Sequence, residues 1–221
     1  MAVADTLALL DWKRRVSALY AEIRASTDPE AAWQRWREVR AELFHSHPQS
    51  PRPGYDGLAY YDYDPAARVL AELEDVDAAP QPVETSGEFS RSGGGEAATS
   101  APGRAPSSLR PHAILFRPFA RAHFELRGEP LSLELEWLES YGGGVFLCFR
   151  DATSGTETYG GGRYLLDTVK GADLGEDSGR LVLDFNFAYN PSCSYEESWV
   201  CPLAPPANRL PVAMRAGETY A

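Results

Sequence analysis

Lysine is nearly absent from this 221-residue chain: Lys13 and Lys170 are the only two, against 19 arginines. Basic residues are outnumbered by 32 acidic ones, for a net charge of −11. A surface of that sign repels phosphate, which argues against nucleic acid and anionic membranes as main partners. The bias towards arginine suits a GC-rich genome or a high-salt setting, where surface carboxylates hold water and keep molecules apart. Long apolar runs are missing too: no stretch reaches the roughly 18 apolar residues of a membrane span. The opening MAVADTLALLDWKRR has neither a leading basic segment nor a small-residue cleavage site. The expected setting is the cytoplasm.

Cysteine and histidine are also scarce. Cys148, Cys193 and Cys201 make an odd, small number, unlike a secreted disulfide scaffold. Structural zinc wants four nearby Cys or His ligands. Cys193 and Cys201 have no histidine close by in sequence, so no metal site is expected. They read either as two buried thiols or as a disulfide across their loop. A cysteine nucleophile would need a base, which His112 or His123 could supply only through folding. His45 and His47 fall at a helix end, where a histidine interacts well with the dipole. Glycine triplets at 142–144 and 160–162 precede strand-like segments and lack a following Gly-Lys-Ser/Thr, so they are not phosphate loops. No motif names a cofactor.

What is present is a helical start and a strand-rich remainder. Leu9, Trp12, Val16, Leu19 and Ile23 recur at helical spacing, predicting a helix over residues 5–25 with Asp5 as its cap. Asp28-Pro29-Glu30 starts a second helix, whose stripe is Ala32, Trp36, Val39 and Leu43 and whose stop is Pro48. Strands are predicted over 57–64, 67–74, 113–128, 131–139, 145–151, 163–169, 180–187 and 210–216. The cleanest is LSLELEWLE, with Leu131, Leu133, Leu135 and Trp137 on one face. Residues 77–109, rich in Pro, Gly, Ser and Ala, read as a disordered insertion without core contacts. The expected architecture is α+β and mostly β: a helical hairpin (1–48) packed on an antiparallel barrel or sandwich built from 49–76 and 110–221.

Candidate chemistry gathers in two C-terminal blocks. In the first, Arg150 and Asp151 end a strand and Arg163 follows a glycine triplet. The arginine fork matches a carboxylate or phosphate, so these residues are candidate anion binders; equally, they are a candidate internal ion pair bracing a hairpin. In the second, Asp184 and Asn186 stand two apart on a predicted strand and share a face, followed by Tyr189 and Asn190. Asp184 and Tyr189 are the candidate acid–base pair, and Asn186 and Asn190 the groups that orient a ligand. The alternative is that the Asn and Asp side chains satisfy backbone groups in a turn. The expected function is binding or turnover of a small polar or anionic molecule in a cleft on which these residues converge. The competing expectation is a structural or protein-interaction module in which they brace a long loop.

Four blocks resemble a prokaryotic family catalogued as domain of unknown function 1684: ELFHSHPQSP (42–51), FRDATSGTETYGGGRYL (149–165), LDFNFAYNPSC (183–193) and CPLAPPANRLPV (201–212). The resemblance spans most of the chain apart from 77–109. It implies that residues 149–208 form a shared surface, and it brings no established activity, cofactor or partner.

Overall fold

The computed structural model describes residues 3–87 and 114–220. Two helices come first, α1 (Val3–Ala25) and α2 (Pro29–Ser46). Asp28 caps α2, its carboxylate accepting from Ala31 N at 3.0 Å, and Pro29 fills the first turn where no donor is needed. Trp33, Trp36, Val39, Leu43 and Phe44 bury one face of α2. α1 is held more lightly: only Leu19 and Tyr20 are buried, with Trp12, Val16 and Ile23 half-covered. Its docking depends on Gly171, which has φ +93°; a Cβ there would lie 2.4 Å from Ser17 Oγ on α1. No helix among the described residues is long and apolar enough to cross a membrane.

The strands are β1 (Ala59–Tyr60), β2 (Arg68–Asp75), β3 (Gln81–Pro82), β4 (Leu115–Leu126), β5 (Glu129–Leu138), β6 (Val145–Phe149), β7 (Arg163–Asp167), β8 (Glu176–Asp177), β9 (Arg180–Asp184) and β10 (Glu218–Thr219). Eight of them form one curled antiparallel sheet, a half-barrel, in the order β7-β6-β5-β4-β2-β9-β8 with β3 alongside β4. β1 and β10 pair separately. The long β4–β5 hairpin turns on Arg127 and Gly128, both with positive φ, as a two-residue turn matching strand twist requires. Pro118 sits inside β4 because the register shifts there: a bulge between Pro118 and Ala120 accommodates a residue that cannot donate to the ladder.

That bulge also reverses which face each side chain takes. Ala120, Ala122, Phe124 and Leu126 join the main core beneath the helices, whereas Phe116 joins a smaller cluster with Phe146, Cys148, Tyr164, Cys193 and Cys201. Glu136 is buried near this smaller cluster, and its Oε2 has no hydrogen-bond partner. Burial, with a lesser push from Glu134, raises its carboxyl from 4.5 to about 7. Since the folded value lies above the unfolded one, stability is lost as pH rises from about 4.5 to 7 and is level above that. Glu136→Gln should therefore stabilise the protein by roughly 2 kcal/mol at pH 8 and by little at pH 4.5, read from urea midpoints at the two values. Equal gains at both pH values would disprove the assignment.

Several segments depart from the sequence expectation. The 57–64 strand shrinks to Ala59–Tyr60, and the 180–187 strand stops at Asp184, where a 3₁₀ turn over Phe185–Phe187 begins. Residues 210–216 form no strand, because the carbonyls of Met214 and Ala216 turn to a buried guanidinium instead of a ladder. The stretch from 77 is not contact-free at its start. β3 pairs with β4, Val83 packs on the smaller cluster, and residues 84–86 hydrogen-bond to Cys201 and Leu203. Residues 88–109 and His112 lie outside the described residues.

Candidate functional site

The first predicted group resolves into a brace. Arg163 is fully buried, with its guanidinium above the Phe149 ring. It donates to Asp151 Oδ2 at 2.9 Å and to the carbonyls of Met214 (2.7 Å), Ala216 (2.5 Å) and Glu218 (3.2 Å). Asp151 meanwhile accepts from the backbone N–H and hydroxyl of Thr153. Both are spent on holding the C-terminal segment and offer no face to a ligand. Arg150 lies elsewhere, exposed, donating to the Gly160 carbonyl at 2.6 Å.

The second group also divides. Asp184 accepts from the backbone N–H and the side-chain amide of Asn186, capping the 3₁₀ turn. Burial raises its carboxyl from the ordinary range, the Asn186 contacts opposing this. Asn186 exchanges hydrogen bonds with Asp64, its Oδ1 accepting from Asp64 N and its Nδ2 donating to Asp64 O. These two residues fasten the 63–67 loop. Tyr189 and Asn190 line one cavity, whereas Asp184 lines a smaller, separate one of about 250 Å³ beside Arg68 and Asp177, so the seven candidate residues do not converge on one cleft. The sequence could not separate them because a side chain two places along a strand shares a face only while the strand continues, and β9 ends at Asp184.

The larger cavity, of about 410 Å³, lies between α1, α2 and the C-terminal loop. Its walls are mainly apolar and aromatic, including Trp12, Val16, Trp36, Tyr164, Tyr189 and Trp199. Arg40 of α2 also lines it, with its guanidinium against the rings of Phe44 (4.7 Å), Tyr189 (4.8 Å) and Trp36 (5.7 Å). Glu218, buried on β10, binds Arg40 at 2.8 Å and also accepts from the Tyr195 hydroxyl and from Asn190 N at 2.7 Å. Asn190 Nδ2 donates to Thr219 O at 3.2 Å, while its Oδ1 is buried without a partner. Lys170, also on the lining, pairs with Asp167 at 2.8 Å. Burial pushes the Tyr189 phenol well above its ordinary range, so it stays protonated at neutral pH and acts as a donor, not as a base.

Arg40, Glu218 and Tyr195 were not among the residues expected to form a site. For Arg40 a signal exists: it stands four residues after Trp36 and four before Phe44, inside the apolar stripe of α2. Glu218 carries no comparable signal, since its burial depends on β1 pairing with β10 across most of the chain.

A helical hairpin over a half-barrel, with an aromatic cavity between them and a buried ion-pair network at its floor, defines the protein as a β-rich α+β protein. The chain belongs to the family described as protein of unknown function (DUF1684), whose model matches residues 108–219. Among solved structures it is similar to the solution NMR structure of an uncharacterized protein from Haloarcula marismortui. That protein is 30% identical, with a TM-score of 0.53, over 86% of this chain and 93% of its own. Comparison with curated proteins finds no match.

Proposed function

We propose that this protein binds a small, mainly apolar molecule, aromatic or short-chain, bearing a hydrogen-bond donor, in the cavity between the helical hairpin and the C-terminal loop. The observation that carries this reading is the cavity itself, about 410 Å³ and lined by aromatic side chains, with an unpartnered buried acceptor at Asn190. A mostly apolar concave site with few polar groups is what small-molecule binding needs. The acceptor favours a ligand that brings an O–H or N–H, because a buried acceptor without a donor costs free energy until it is met. An anion is not favoured, since both cations on the lining already face carboxylates, Arg40 with Glu218 and Lys170 with Asp167. The brace reading suits Asp151, Asp184 and Asn186, and also Arg163, whose two terminal nitrogens bond within the chain while its Nε is buried without a partner; it coexists with binding at the cavity.

The test is thermal unfolding with p-cresol, hexanol and hexanoate. A ligand that binds only the folded state raises the midpoint, by about 2.7 kcal/mol at a hundredfold excess over Kd. The neutral p-cresol or hexanol should give a larger, saturable shift than hexanoate. Val16→Phe, which fills the cavity from α1, should abolish it while leaving the fold intact. An equal shift in Val16→Phe, or no shift with any probe, would overturn the proposal.

A further inference from the structure

The chain's three cysteines, Cys193 and Cys201 from one loop and Cys148 from β6, meet in the smaller core cluster. Two of them are arranged as a pair. Cys193 sits on the 3₁₀ turn Ser192–Ser194, and its backbone N–H points to Cys201 Sγ at 3.4 Å. The Cys193 thiol donates to the Tyr159 hydroxyl at 3.5 Å. Cys201 is fixed on the other side by Ser86: Cys201 N donates to Ser86 Oγ at 3.0 Å and Ser86 N to Cys201 O at 3.0 Å. Both sulfurs are thus held by local backbone, with little chain entropy left to lose when they join. Cys201 lines the cavity, as does Lys170. Cys148, in contrast, lies within β6, fully buried, in a place with no mechanism to ionise.

We propose that Cys193 and Cys201 form a thiol–disulfide exchange site whose co-substrate is a low-molecular-weight disulfide, with Cys193 as the attacking sulfur and Cys201 as the resolving one. Cys193 thiolate attacks one sulfur of the incoming disulfide, forming a mixed disulfide and expelling one thiolate. Cys201 then loses its proton and attacks the Cys193 sulfur, closing the Cys193–Cys201 bond and expelling the second thiolate. The two protein thiols give up two electrons and two protons, and the co-substrate is reduced to two thiols. Attack by the thiolate form is what makes such a cysteine reactive. Interactions with Cys201, Ser86 and the Tyr159 hydroxyl pull the Cys193 thiol below its ordinary range against the opposing effect of burial. The proton retained by Cys201 is correspondingly harder to remove. The closed bond would span a loop carrying Tyr195 and Trp199, but the exchange chemistry stands independently of whether the cavity holds a ligand.

The experiment incubates the full chain with oxidised glutathione, quenches with acid, and maps peptides without reduction. The expected product is a Cys193–Cys201 link with Cys148 left as a free thiol, fully reversed by dithiothreitol. Cys201→Ser should stop at a glutathione adduct on Cys193. Cys193→Ser should slow adduct formation on Cys201 at least tenfold, and Cys148→Ser should change nothing. The initial rate of iodoacetamide alkylation at Cys193 should reach half its maximum at a lower pH than an ordinary thiol does. A link to Cys148, equal rates at Cys193 and Cys201 in the two single variants, or an alkylation midpoint at or above pH 8.5 would each overturn the proposal.

Discussion

Arg163→Leu should lower the stability of the protein by about 3–5 kcal/mol, the cost of breaking a fully buried ion pair by removing one partner. Three consequences combine. Asp151 is left as an uncompensated buried carboxylate. The carbonyls of Met214 and Ala216 lose their donor, and a buried acceptor without one is expensive. The segment from Met214 to Glu218, which carries β10, then loses the anchor that places it. Arg163→Lys should restore little, because a single ammonium cannot span the four acceptors that the planar fork reaches. Urea unfolding of the wild type and both variants checks this. Near-wild-type midpoints for Arg163→Leu would show that the brace adds nothing, whereas a fully rescued lysine variant would show that charge matters and geometry does not.

The second large effect is expected at Glu218. Glu218→Ala removes the partner of Arg40 and the acceptor of both Tyr195 and Asn190 N. Arg40 is then a largely buried cation left with aromatic faces and a 3.4 Å hydrogen bond to the Tyr195 hydroxyl, and the expected loss is about 3 kcal/mol. Unlike the Arg163 change, this one alters the cavity, since Arg40 and Asn190 both line it. It should weaken the thermal response to p-cresol or hexanol as well as the fold. A double-mutant cycle with Arg40→Met separates the causes: the paired variant should recover part of the loss, because two neutral groups replace one stranded charge. Strictly additive losses would show that the two residues act independently.

The sequence made the helices legible because their signals are local. Asp28 and Pro29 start α2 by satisfying or removing orphan donors within four residues, and the stripe from Ala32 to Leu43 needs no knowledge of what it packs against. The same holds for β4–β5, where alternation marks the strands. Other features were beyond such reading. The bulge at Pro118 depends on the partner strand, yet it decides whether Phe116 or Ala120 faces the helices. The strand expected at 210–216 failed because its carbonyls answer to Arg163, some fifty residues away.

The site follows the same division. The amino-acid sequence by itself determined the helical hairpin, the strand-rich remainder, the net negative charge and the concentration of polar groups at 149–208, because composition, periodicity and turn chemistry are properties of neighbours. It also made the family legible, through three blocks of contiguous residues within the matched stretch 108–219. Only the tertiary structure decided that Arg163 and Asp151 are spent within the chain, and that Tyr189 and Asn190 belong to a cavity shared with α1 and α2. It also brought Arg40 to Glu218 and Cys193 to Cys201. Whether a charged side chain binds a ligand or braces a loop depends on which distant donors and acceptors reach it. Burial makes that pairing energetically decisive, and chain closure over many residues determines it.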